Sequence, residues 1–115
     1  MSQGISLFVY PVKDLAQAKT LYSTFLGVEP YVDGPYYVGF RVGDQEIGLD
    51  PHGHRKGMTG PLGYREVHDI RQSLQRLLDA GAQVQQEVQN VGGGKLIATV
   101  KDADGNLIGL MQSPE

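Results

Sequence analysis

The 115-residue chain carries one short pattern twice, and that repetition limits its fold more than any other feature. Val12-Lys13-Asp14-Leu15 and Val67-His68-Asp69-Ile70 each lead an apolar stretch into an amphipathic one, 55 positions apart (69 − 14). Glu46-Ile47-Gly48-Leu49 returns as Leu107-Ile108-Gly109-Leu110, 61 apart (108 − 47). The extra six residues are expected in a longer turn around Asp102 to Asn106. A unit of about 50 residues is too small to bury a sheet face alone. The chain is therefore read as one domain of two units, about residues 4–50 and 62–112, joined by the Gly/Pro-rich linker 51–61.

Each unit reads as β-α-β-β-β. The first helix is expected from Asp14 to about Leu26, with Leu15, Ala18, Leu21, Tyr22, Phe25 and Leu26 forming an apolar stripe. Asp14 is placed to cap it and Gly27 to stop it; Asp69 and Gly81 do the same for the second helix, which carries Ile70, Leu74, Leu77 and Leu78. Strands are expected at Gly4 to Tyr10, Val28 to Val32, Tyr36 to Val42 and Gln45 to Asp50. In the second unit they fall at Leu62 to Val67, Gln83 to Val88, Lys95 to Val100 and Asn106 to Gln112, with Asp104-Gly105 as a hairpin turn.

Composition narrows the chemistry. The absence of cysteine removes disulfides, thiol nucleophiles and Cys-ligated metal. A net charge of −3 gives no general basic footprint for nucleic acid or an anionic membrane surface. No apolar run approaches the roughly 20 residues of a membrane helix. The first residues, Met1-Ser2-Gln3-Gly4-Ile5, lack a signal-peptide pattern, so a cytoplasmic location is expected. Gly92-Gly93-Gly94-Lys95 lacks the following Ser/Thr and helix of a phosphate loop and reads as a hairpin connection. His52 and His54 lie in the linker and read as solvated, with no third ligand assigned; His68 reads as a strand-end surface residue.

The tandem arrangement resembles the glyoxalase/bleomycin-resistance/extradiol-dioxygenase (vicinal oxygen chelate) superfamily. The motifs that carry the resemblance are Val12-Lys13-Asp14-Leu15, Phe25-Leu26-Gly27-Val28, Val67-His68-Asp69-Ile70, Asp79-Ala80-Gly81-Ala82 and Lys101-Asp102-Ala103-Asp104-Gly105-Asn106. It implies an α+β fold of tandem βαβββ units, whose strands form a strongly curved mixed sheet with helices outside. It also implies a cavity lined by the sheet, a homodimer, and functions ranging from isomerases and dioxygenases to proteins that only bind a drug. In the family's metalloenzymes four side chains from the first and last strands of the units hold a divalent metal. Those positions fall here at Leu7, Gly48, Leu62 and Gly109, none of which offers an oxygen or nitrogen side-chain donor. Neither metal nor other cofactor is therefore expected.

Pleat alternation then places Tyr37, Arg41, Asp50, Tyr64, Glu66, Thr99 and Met111 on the cavity side, with Thr99 as the counterpart of Arg41. Tyr37 and Tyr64 suit stacking, Asp50 and Glu66 a cationic group, and Arg41 an anionic one, unless Arg41 instead pairs with Asp50 or Glu66. Gly48 and Gly109 leave room for a ligand. The leading expectation is a metal-independent protein that binds or sequesters a small, partly aromatic molecule. The alternative is a glyoxalase-like lyase or isomerase, or another enzyme of this superfamily, with an unidentified metal site or with Glu66 or Asp50 as general base.

Overall fold

A computed structural model describes residues 4–114. Its contacts divide the chain into Ser6–Leu62, here the first half, and the remainder, here the second half. The 51–61 linker groups with the first half. Met58 is buried there, Lys56 binds Asp50, and Gly53 sits so close to Pro11 that an added Cβ would lie 2.7 Å from the proline Cβ.

In the first half, β1 (Ile5–Pro11) leads through α1 (Leu15–Leu26) to β2 (Val32–Asp33), β3 (Val38–Val42) and β4 (Gln45–Asp50). β1 runs parallel to β4, and β4–β3 and β3–β2 are antiparallel, giving the order β2-β3-β4-β1. Asp14 caps α1 by accepting from the Gln17 backbone N–H at 3.0 Å, and Gly27 ends it at φ 74°, where a Cβ would be penalised. The strand expected at Val28 to Val32 is reduced to Val32–Asp33: it pairs with β3 only at its end, where Tyr31 N–H donates to the Gly39 carbonyl, before the chain turns back with Gly34 N–H on the Tyr37 carbonyl. Alternating β3 and β4 residues Val38, Phe40, Ile47 and Leu49 form the core with Leu15, Ala18, Tyr22 and Leu26 of the helix. Phe40 and Leu49 are fully buried, each contributing on the order of 2 kcal/mol of burial free energy. Leu21 and Phe25 depart from the expected stripe: both lie on the solvent side, Phe25 edge-on to Tyr22.

In the second half, β5 (Leu62–Glu66) leads through α2 (Ile70–Asp79) to β6 (Gln83–Asn90), β7 (Leu96–Lys101) and β8 (Leu107–Gln112), in the order β5-β8-β7-β6. Asp69 repeats the Asp14 cap at 3.1 Å from the Gln72 N–H, and the Gln112 side chain accepts from the Ile70 N–H at 2.8 Å. Ile70, Leu74, Ala98, Val100 and Leu110 form its core. The cross-strand register relocates the six-residue growth of the repeat. Arg41 opposes Glu46 and Lys101 opposes Leu107, so the offset is already 60 (101 − 41) before the last turn and 61 (107 − 46) after it. Five of the six residues lie upstream, where β6 and its turn replace the two-residue β2. One lies in the β7–β8 turn. That turn is organised by Asp102, which accepts from Asp104 N, Asn106 N and the Asn106 side chain at 2.8–3.0 Å, while Gly105 takes φ 84°.

Candidate functional site

With Val38, Phe40, Ile47 and Leu49 committed to the helix side, alternation turns Gly39, Arg41, Glu46 and Gly48 to the inner face of the first half. Gly39 and Gly48 are cross-strand partners, and two aromatic rings cover them. A Cβ on Gly48 would fall 2.0 Å from the Tyr37 hydroxyl, and one on Gly39 would fall 3.3 Å from both the Tyr31 and Tyr37 rings. The room that the glycine at position 48 leaves is thus taken by Tyr37. Arg41 lies with its guanidinium 4.2 Å over the Tyr31 ring and 3.8 Å from the Glu46 carboxylate, to which the Tyr31 hydroxyl also donates. Burial pushes the Tyr31 phenol above its ordinary pKa; the hydrogen bond to Glu46 and that carboxylate's charge add to the rise, and Arg41 opposes it.

Arg41 therefore pairs with Glu46, not with Asp50 or Glu66. Asp50 is buried and its two oxygens accept from His52 N and Lys56 Nζ, both at 2.8 Å, so this carboxylate ties down the start of the 51–57 turns. His52 in turn stacks on Tyr36, with ring centroids 5.9 Å apart.

In the second half Tyr64 opposes Gly109 on the neighbouring parallel strand and lays its ring across it; a Cβ there would meet Tyr64 Cδ1 at 2.5 Å. Thr99 is fully buried and donates its hydroxyl to Gln85 Oε1; Met111 is buried as well. Glu66 spends both oxygens on Ser113, accepting from its N–H at 2.7 Å and its hydroxyl at 2.8 Å. Thr99 opposes Gly109 as Gly39 opposes Gly48, so the counterpart of Thr99 is Gly39, and that of Arg41 is Lys101.

The site residues read from the sequence accordingly fall into three groups. Tyr37 and Arg41 share the inner face of the first half; Tyr64, Thr99 and Met111 belong to the second half; Asp50 and Glu66 are engaged by local backbone and side chains. Pleat alternation in the sequence already turns Glu46 toward the cavity, without giving it a role; sequence reasoning does not reach Tyr31. The available signal is the hairpin about Asp33-Gly34-Pro35, which sets Val32 opposite Gly39 and brings Tyr31 beside it.

The donor set does not fit a metal of the kind the superfamily's metalloenzymes hold. Leu7, Gly48, Leu62 and Gly109 supply no ligand atom, and tyrosine rings lie over both glycines. Among the described residues no three of His, Asp or Glu are grouped as a metal site would need.

Comparison with solved structures gives the same architecture at low identity. A superfamily member from Vibrio splendidus 12B01 superposes with a TM-score of 0.74 at 17% identity, over 94% of this chain and 97% of that one. Methylmalonyl-CoA epimerase from Mycobacterium tuberculosis gives 0.72 at 20%, over 99% and 90%. A single-residue variant of Streptomyces coelicolor methylmalonyl-CoA epimerase, in complex with 2-nitronate-propionyl-CoA, gives 0.73 at 15%, over the whole of both chains. No curated protein matches the chain in sequence. At these identities the likenesses concern the fold, an α+β arrangement of tandem βαβββ units. The sequence profile of the Glyoxalase/Bleomycin resistance protein/Dioxygenase superfamily matches residues 4–110, and the chain belongs to that superfamily.

Proposed function

We propose that this chain is a metal-independent binding protein for a small, partly aromatic organic molecule, acting in the cytoplasm as a homodimer. The observation that carries the reading is the tyrosine laid over glycine at both positions where the superfamily's metalloenzymes carry a carboxylate. At each of these positions the aromatic surface of a tyrosine ring occupies the space a ligand side chain would need. On the first half that surface keeps a polar handle: Arg41 is exposed on its outer side and Glu46 is half-buried. A planar ligand would lie along Tyr31 and Tyr37, and an anionic substituent would draw Arg41 away from Glu46. Dimerisation would protect β6, which pairs along one side with β7.

An enzyme reading has less to stand on. Epimerases are among the structural neighbours, but Asp50 and Glu66, the carboxylates expected as a base, are committed to Lys56 and His52 and to Ser113.

Titration calorimetry with 2-naphthoate and with 2-naphthylmethylamine tests the proposal, alongside Mn2+, Ni2+ and Zn2+. Saturable binding of the naphthoate, weakened at least tenfold in Tyr37→Leu and in Arg41→Ala, is the expected result. Stoichiometric metal binding at the inner face, or aromatic affinity indifferent to both substitutions, would overturn it. Native mass spectrometry of the same samples reports the dimer.

A further inference from the structure

The outer, helix-bearing face of the second half holds two hollows that share Arg65, Ser73 and Arg76. Ser73, Arg76 and Leu77 stand at helical spacing on one flank of α2, so the shared residues make one groove along that flank. One lobe, about 520 Å3, is polar and opens at the start of the helix beside His68 and Gln72. The other, about 340 Å3, is apolar and lies between Leu77, Ile5 and the β8 residues Ile108 and Leu110. Ile5 and Ile108 are 51% and 37% exposed, a visible apolar surface that α2 does not cover.

The charges around the groove are unevenly placed: the two arginines line both lobes, whereas Glu66 and Asp69 line only the polar one. Glu66 is satisfied by Ser113 and Asp69 by the Gln72 N–H of its own cap, so the acids of the polar lobe are spent on local structure. Arg76 has no ion-pair partner among the described residues. An apolar trough therefore ends at a guanidinium with no ion-pair partner among the described residues, one helical turn from Ser73.

We propose that this groove is a second binding site, separate from the tyrosine-covered inner face, for an amphiphilic anion: a carboxylate or phosphate head on Arg76 and an acyl or alkyl tail along Leu77, Ile108 and Ile5. The head would exchange its water for charge-assisted hydrogen bonds, and the tail would cover the exposed isoleucines.

The test is calorimetry with decanoate and decyl phosphate below their micelle concentrations, against decanol and decylamine, with methyl NMR of the isoleucines locating the site. Binding of one or both anions is expected, with Ile5 and Ile108 methyl shifts; which anion binds more tightly names the head group. Arg76→Glu, at an exposed helix position, should weaken that binding at least tenfold. Arg71→Glu, on the same helix outside the groove, should leave it within twofold. Decanol binding as tightly as the anions, equal losses in the two variants, or no binding at millimolar concentration would each overturn the site. So would a twofold-heavier particle that dissociates in Arg76→Glu, since the groove would then be covered by a second copy. The proposal stands apart from the inner-face reading, because naphthoate binding should be untouched by Arg76→Glu.

Discussion

The two halves share strand order, helix caps and an inner-face glycine on the last strand, yet they cover that glycine by different routes. In the second half the ring comes from the adjacent parallel strand: Tyr64 opposes Gly109, while the counterpart position in the first half holds Val9 opposite Gly48. In the first half Tyr37 arrives from the residue just before β3. Tyr64 touches with the root and edge of its ring (Cγ, Cδ1, Cε1), whereas Tyr37 touches with its tip (Oη, Cζ, Cε1). Tyr64, Thr99 and Met111 are closed off, while Tyr31 and Arg41 remain open. One scaffold thus supports a filled inner face and an accessible one, and the accessible one carries the paired charges.

A Cβ on each glycine sets the halves against each other most strongly. Gly109→Ala should destabilise by about 2–3 kcal/mol, because Tyr64 is buried and cannot swing away from a contact at its ring root. Gly48→Ala should cost about 1 kcal/mol or less, since only the tip of a half-buried side chain must move. Urea unfolding of both variants measures the difference. Tyr64→Ala and Gly109→Ala combined should cost less than the sum of the two single losses, a non-additivity expected of residues in contact. Equal costs at the two glycines would erase the distinction between the halves.

Most of the fold is legible in the sequence because its signals are local and periodic. Asp14 and Asp69 cap, Gly27 stops, and Val38, Phe40, Ile47 and Leu49 alternate, all within one turn or one pleat of their partners. The site is less legible because its contacts depend on register. The expected match of Thr99 to Arg41 implies an offset of 58 (99 − 41), but the register puts it at 60 on this strand, which moves the match to Gly39. Asp50 and Arg41 share a face, yet the Asp50 carboxylate goes to Lys56 in the linker, a partner that no strand periodicity predicts. Tyr31 escapes because a two-residue strand has no period to read.

Polar truncations separate the faces at a smaller scale. Thr99→Val leaves the Gln85 side chain without its buried hydroxyl donor and should cost about 1 kcal/mol. Arg41→Ala should change stability by less than about 0.5 kcal/mol, since its ion pair with Glu46 is long and exposed. Ligand affinity should respond in the opposite order. Thermal unfolding and calorimetry on the two variants give both readings, and a large stability loss in Arg41→Ala would make its contacts structural.

Tyr31 gives the accessible face a spectroscopic marker. Its phenol ionises above the ordinary range, first because of burial and then because Glu46 accepts its proton-bearing hydroxyl and repels the phenolate. Glu46→Gln should lower that ionisation, seen by ultraviolet titration of the tyrosines, because the repelling charge is gone. A group whose folded pKa is raised contributes stability that is complete below its unfolded value near 10 and is lost as pH climbs through the folded value. The wild-type protein should therefore lose stability in that alkaline window more steeply than Glu46→Gln.

The smallest effect lies in the turn that distinguishes the halves at their far ends. Gly43-Asp44 joins β3 to β4 in two residues, whereas β7 and β8 are joined through Asp102 and its hydrogen bonds to the 104–106 backbone and the Asn106 amide. The Asn106 side chain, more than the backbone donors, holds Asp102 below its ordinary value. Here the sign reverses relative to Tyr31: a depressed carboxylate contributes above its unfolded value near 3.8, and the contribution disappears as pH falls through the folded value. Asn106→Ala should bring the Asp102 titration, followed by its carboxyl carbon in NMR, back toward the ordinary range. Because these hydrogen bonds lie in an exposed turn, global stability should barely move. A large loss on Asn106→Ala would mean that the Asp102 turn fixes the β7–β8 register, and with it the placement of Thr99 against Gly109.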